Sequence, residues 1–284
     1  MRNYLLMLLK KYLFSFFALI LALSLAYLFC IMPNLSRKEQ MQSFTSRLYA
    51  HRGLFDNTSD HPENSLPAFQ RAVQEGYAIE LDVQLTKDKV PIVIHDTNLE
   101  RISGMPKQIS QLTYAELSSY RIFDSKEQVP LLKDVLSLVD GKVPLMVELK
   151  TSWNYKETCQ IVTSILDEYE GPYCIISFNP LALEWFKQNK PHVLRGQLAT
   201  DDLQEKISGN PIVQFALTHL LTNFISRPDF ISYGYKYSDN FSLKLCKHLF
   251  GTPIAGWTIS SQQLYDDNKN IFDIVVFDQF IPIP

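Results

Sequence analysis

Cysteine is scarce and unpatterned. The four in the 284-residue chain, Cys30, Cys159, Cys174 and Cys246, show no CxxC or CxxxC spacing, which argues against a zinc knuckle or a redox pair. Cys30 lies in an apolar segment, so three remain for the rest of the chain, and an odd number speaks against a disulfide framework. Excess basic charge is lacking too: a formal net charge of -3 gives no counterion-displacing surface, so nucleic acid is set aside as a partner. Repeats and low-complexity segments are also missing. Hydrophobic residues, at 46%, suffice for one sizeable core, and the length favours a single globular domain.

What the chain does have is one long uncharged run, YLFSFFALILALSLAYLFCIM, which fills 21 residues at 12–32. At about 1.5 Å per residue it covers the roughly 30 Å of a bilayer's hydrocarbon core. We read residues 1–33 as a cytoplasmic start and a transmembrane helix, 34–46 as a polar linker, and 47–284 as the catalytic domain. Arg2, Lys10 and Lys11 precede the run, whereas Arg37 and Lys38 follow it beside Glu39. This bias predicts a single-pass protein of the cell membrane with an extracellular catalytic domain. A cleaved signal peptide is the competing reading, weakened by the length of the run and the lack of a small-x-small site after it.

From residue 48 onward, β-rich runs alternate with helical-period runs. Strands are expected at 48–50, 78–83, 91–95, 145–149, 174–177, 193–198, 230–233, 253–258 and 274–277. Helices are expected at 67–75, 131–139, 156–169, 181–188, 204–223 in pieces, and 240–249. Such alternation predicts an α/β fold with a parallel sheet, and a TIM-type (β/α)8 barrel fits the length. One strand is then in excess. The link QLTKDKV between the runs at 78–83 and 91–95 is too short for a parallel crossover, so the second run is read as a hairpin return above the barrel mouth. Residues 97–128, with a helical stretch at 113–120, read as an inserted lobe.

The chemistry begins in AIELDVQLT. Residues two apart on a strand share a face, so Glu80 and Asp82 project together, opposite Ile79, Leu81 and Val83. An isolated E-x-D is commonly a solvated pair. If buried, however, the two acids repel, and a hard divalent cation with oxygen ligands is the simplest resolution. In PLMVELK, Glu148 ends another apolar run and Lys150 shares its face. His95 in VPIVIHD and His51 in LYAHRG each end a strand as well. Active sites of this fold lie at the carboxyl ends of the strands. Two imidazoles, a metal, Arg52 and Lys150 form the set that phosphodiester cleavage needs: proton carriers, a Lewis acid and cations for the phosphoryl charge.

In order, AHRG, PENSLPAF, IELDVQLTKD, PIVIHD, VELK, SFNP, GWTI and IVVFD resemble the motifs of glycerophosphodiester phosphodiesterases over about residues 48–280. The resemblance implies a barrel of the phospholipase C-like phosphodiesterase type that uses Ca2+ or Mg2+ to hydrolyse glycerophosphodiesters to glycerol 3-phosphate and an alcohol. It implies Glu80, Asp82 and Glu148 as metal ligands and His51 and His95 as the acid/base pair. Arg52, Lys150, Glu63, Asn64 and Trp257 are then substrate-site residues, Glu63 holding either the metal or Arg52. A buried structural tryptophan is the alternative reading of Trp257. In VVFDQFIPIP, Phe277 and Gln279 stand where the family often has a threonine and a basic residue.

Two rival functions remain at this point: a lysophospholipase D or phosphoinositide-type phosphodiesterase on a related barrel, and a catalytically silent membrane-tethered binding domain. Oligomeric state is not legible.

Overall fold

A computed structural model describes residues 2–45, 47–151 and 154–283. In chain order the strands are β1 (Leu48–His51), β2 (Ala78–Leu85), β3 (Pro91–Val93), β4 (Leu145–Leu149), β5 (Tyr173–Ser177), β6 (Leu194–Ala199), β7 (Phe230–Gly234), β8 (Ile254–Ile259) and β9 (Ile274–Phe277). All pair in parallel except β3, and β1 pairs with both β2 and β9, closing an eight-stranded barrel. β3 returns antiparallel along β2, Val83 opposite Val93, as the short link requires.

The helices are α1 (Arg2–Ile31), α2 (Gln42–Thr45), α3 (Leu66–Gln74), α4 (Glu100–Ser103), α5 (Tyr114–Leu117), α6 (Leu132–Val139), α7 (Tyr155–Leu166), α8 (Pro180–Asn189), α9 (Pro211–Thr218), α10 (Asn223–Ser226), α11 (Phe241–His248) and α12 (Gln262–Asn268). Their starts follow capping chemistry. Ser65, Asn179, Asn210 and Asn240 each accept a backbone N–H of the helix that follows, and a proline opens α3, α8 and α9. α12, capped by Ser261, is the one longer helix that hydropathy period did not announce.

Period-two alternation decides what faces where. Ile79, Leu81 and Val83 of β2 pack outward with Phe69, Leu132 and Val135 of the helix layer. Ala78, on the opposite face, joins Tyr49, Met146, Cys174, Phe230 and Ile274 in the barrel interior. The foot of that interior is closed by the chain itself. Met41 and Phe44, in the stretch read as a linker, are buried against the same interior cluster. β6 crosses it at Gly196, where a Cβ would come within 2.3 Å of the Phe230 ring.

Residues 97–128 surround a small core of their own, in which Leu99, Ile102, Ile109, Leu112, Leu117 and Ile122 pack on Ile92 of the hairpin. α1 contains a 28-residue stretch, Tyr4–Ile31, long and apolar enough to cross a membrane. Truncating Phe44 to alanine removes the foot plug. By the cost of comparable cavities it should lower unfolding free energy by roughly 3 to 5 kcal/mol, measured by denaturant titration. Unchanged stability would mean that residues 39–45 are not part of the barrel core.

Candidate active site

The strand register assembles the site. His51 of β1 lies opposite Glu80 of β2, and Asp82 lies opposite Glu148 of β4, so four titratable side chains meet at one end of three adjacent strands. Carboxylate oxygens of Glu80, Asp82 and Glu148 fall within 4.8 Å of one another, and all three residues are buried. Lys150, tied to β2 by its N–H to the Val83 carbonyl, places Nζ 2.8 Å from Glu148 Oε1 and 3.1 Å from Asp82 Oδ1.

The turn after β1 brings the next group in. Gly53, at φ 84°, makes that turn where a Cβ would sit 2.9 Å from the Ala68 backbone. Arg52 and Asn64 both adopt left-handed φ, 59° and 55°, a strained conformation for residues with side chains. They are held by backbone bonds from Arg52 N to the Glu80 carbonyl and from Asn64 N to the Arg52 carbonyl, each 2.9 Å. As a result Asn64 Nδ2 donates to Asp82 Oδ2 at 2.8 Å, and Arg52 Nη1 donates to Glu63 Oε1 at 2.7 Å. Between its two candidate duties, Glu63 takes the second: it sits with Arg52, outside the three-carboxylate cluster.

Three residues that the sequence reading passed over complete the arrangement. Asp278, directly after β9, places Oδ2 3.0 Å from His51 Nδ1. Asp96 Oδ1 lies 2.7 Å from His95 Nδ1. Arg101 of α4 donates to both Asp96 oxygens and to both Glu63 oxygens. The two aspartates were visible as the residues after His95 in IHD and after Phe277 in FD, but adjacency does not say what a carboxylate will touch. No sequence signal marks Arg101. His95 itself lies beyond the end of β3, which stops at Val93; there the Gln84 amide lies 2.9 Å from each of the carbonyls of Ile94, His95 and Asp96.

Burial and the neighbouring charges set the protonation pattern. Burial raises Glu80 well above the usual carboxylate range, and Asp82 and Glu148 push it further. Glu148 is pushed up to about 7, chiefly by burial, with Lys150 resisting. Burial would raise Asp82 as well, but Lys150, His95 and Arg52 outweigh it and hold that carboxyl well below its usual value. Glu63 stays at about 2 despite burial, because Arg101 and Arg52 bracket it. His95 is lowered, by burial first and by nearby Lys150 and Arg52.

His51, Arg52, Glu80, His95, Glu148, Lys150, Phe178 and Trp257 line a cavity of about 250 Å³. Among the described residues, Arg52 Nε, Asn64 Oδ1, Asp82 Oδ1 and Trp257 Nε1 are buried without a hydrogen-bond partner of good geometry. Two of these atoms, on Arg52 and Trp257, belong to residues that line the cavity, as befits a place built for a ligand. Three convergent, buried carboxylates fit a hard divalent cation. Phe277 is buried toward the helix layer beside Tyr77, ring centroids 4.9 Å apart, so it leaves the cavity wall to Val276. His61 stands apart with Ser59 and Asp60.

Known proteins resemble the chain in sequence and in fold. The chain is 34% identical over 172 residues to a glycerophosphodiester phosphodiesterase of Bacillus altitudinis, covering 56% of this chain and 69% of that one. It is 30% identical over 157 residues to a lysophospholipase D of Rattus norvegicus, of which it spans 48%. Among solved structures, a phosphodiesterase of Oleispira antarctica in complex with the product sn-glycerol-3-phosphate superposes with a TM-score of 0.67 at 24% identity, over 83% of this chain and 94% of that one. A glycerophosphodiester phosphodiesterase of Thermotoga maritima gives 0.61 at 24% identity, over 81% and 93%. Residues 51–270 match the model of the glycerophosphoryl diester phosphodiesterase family, and the chain belongs to that family of phosphoric diester hydrolases.

Proposed function

We propose that the protein hydrolyses glycerophosphodiesters to glycerol 3-phosphate and an alcohol at the cavity between His51 and His95. The observation that carries this reading is the meeting of Glu80, Asp82 and Glu148 within 4.8 Å of one another, in a cavity lined by two histidines and two cations. Glu80, Asp82 and Glu148 would hold a divalent cation, Ca2+ or Mg2+, which when bound supplies Lewis-acid polarisation of a phosphoryl oxygen. Arg52 and Lys150 neutralise the phosphate's remaining charge, and Asn64 holds Asp82 in place.

Each histidine has Nδ1 committed to a carboxylate, His51 to Asp278 and His95 to Asp96. That fixes the tautomer and leaves Nε2 as the working atom. One ring takes a proton from the entering oxygen and the other returns one to the leaving oxygen. Trp257, edge-on to Phe178 at 5.8 Å, forms the apolar wall for the glycerol or head group. In this reading residues 1–33 anchor the chain, 34–46 lead from the anchor to the plug at the barrel foot, 97–128 form a lobe beside the mouth, and the 47–284 domain faces outward.

Three outcomes are expected. His51→Ala and His95→Ala should each reduce kcat for glycerol 3-phosphate release by about 10²- to 10⁴-fold with folding intact, and equal activity would remove that ring from the mechanism. Chelation should abolish turnover and expose the acid cluster to pH. Raised carboxyls favour the fold while protonated, so the stability of the metal-free protein should fall as pH rises from the ordinary carboxylate range through about 7, where Glu148 ionises. Glu63 acts in the opposite sense, its contribution being lost only as pH falls toward about 2. Thermal melts with and without metal read this, and a metal-free melting temperature flat from about pH 5 to pH 7.5 would contradict the crowding. Protease treatment of intact cells should digest the barrel, whereas digestion only after lysis would reverse the orientation.

A further inference from the structure

Arg101 is held from two sides. Its Nε–Nη2 edge meets Asp96, at 2.7 Å to Oδ2 and 3.1 Å to Oδ1, while its Nη1–Nη2 edge meets Glu63, at 2.8 Å to Oε2 and 2.6 Å to Oε1. Two carboxylates thus lie along two edges of one planar cation, which fixes their mutual orientation as well as balancing their charge. A lysine ammonium, being a point charge, could do the second but not the first.

The lobe keeps the cation in place. α4 has only four residues, but Leu99 before it and Ile102 within it are buried in the small core of residues 97–128, and Gly104 closes it at φ 70°. Phe123 lies against the guanidinium, its ring centroid 5.6 Å from Cζ. It takes a left-handed φ of 51°, rare for an aromatic residue, and its N–H donates to the Ile102 carbonyl. Such strain persists where the surroundings impose it, often beside a functional group.

The two carboxylates are unequally supported. Glu63 keeps Arg52 and Asn57 as further partners, at 2.7 Å and 2.9 Å. Among the described residues, Asp96 has His95 and Arg101 as its side-chain partners and no others. Removing the guanidinium would therefore loosen Asp96, and with it the His95 ring, while leaving Arg52 tied to Glu63. His51 would be untouched, since Asp278 holds it.

We propose that Arg101 is a positioning residue for one of the two proton carriers: mounted on the 97–128 lobe, its planar fork aims His95 through Asp96 and leaves His51 alone. The lobe thereby acts on half of the acid/base pair through this side chain. The catalytic consequence rests on the phosphodiesterase reading above; the aiming of the ring does not.

The full chain in detergent, assayed for glycerol 3-phosphate release from glycerophosphocholine and glycerophosphoglycerol, tests the consequence. Arg101→Ala should lower kcat by about 10- to 100-fold, the range found for partners that orient metal-bound histidines, with KM changed by less than about threefold. Added to His95→Ala it should cost less than about threefold more, whereas added to His51→Ala it should cost its full factor. Because the side chain is 43% exposed, methylguanidinium can reach the truncated site and should restore most of the lost rate, and methylammonium should not. Arg101→Lys, which keeps the charge and serves where the alanine variant does not fold, should show the same loss. Equal losses in both histidine backgrounds, full activity in Arg101→Lys, or rescue by methylammonium overturn the positioning role.

NMR of isotope-labelled imidazole nitrogens at about pH 8, where an ordinary histidine ring is neutral, reads the aiming without turnover. His95, assigned against His95→Gln, should hold one tautomer, protonated at Nδ1, in the wild type and a mixture in Arg101→Ala and Arg101→Lys. An unchanged tautomer in both variants overturns the proposal. Absence of turnover in the wild type overturns the phosphodiesterase reading, while the tautomers still decide the role of Arg101.

Discussion

Three carboxylates aimed into one level of a barrel repel one another, and much of the site follows from how that repulsion is cancelled. Lys150 answers part of it with contacts to both Glu148 and Asp82, and Arg52 reaches Asp82 from the other side at 3.5 Å. Asp82 is thereby kept ionised, while Glu80 and Glu148 are driven toward their neutral forms. A crowded cluster of this kind suits something small, hard and positive.

The same economy of charge reaches the histidines. Glu63 accepts from Arg52 and Arg101, and Arg101 also grips Asp96, which orients His95. A single chain of polar contacts thus links Arg52 to His95, and α4 holds its central member. His51 is oriented independently by Asp278 at the end of β9. The two rings are thus fixed by separate partners on opposite sides of one small cavity.

Most of this was legible in the sequence because it is periodic. Glu80 and Asp82 share a face by the pleat, and the apolar residues between them pack outward as that alternation demands. The short link before Pro91 forced the hairpin, and with it the strand count. Periodicity fails where the chain is irregular. Arg101 acts through a four-residue helix in the 97–128 region, and Asp278 acts across 227 positions of sequence from His51. Neither closeness follows from pattern. The stretch at 34–46 read as a linker because it is polar, yet Met41 and Phe44 within it are buried at the barrel foot, where two apolar residues suffice.

The central claim is that the crowded acids form one divalent-metal site whose ionisation is completed by the metal. Calorimetric titration of the metal-free protein with Ca2+ or Mg2+ in buffers of differing ionisation enthalpy tests it most directly, because it counts protons released per metal bound. The account predicts one site, with proton release near pH 6.5, where Glu148 is still largely protonated, that shrinks as pH rises, and a smaller release in Glu80→Gln and in Glu148→Gln. Binding without proton release near pH 6.5, or binding unaltered in both variants, would contradict it.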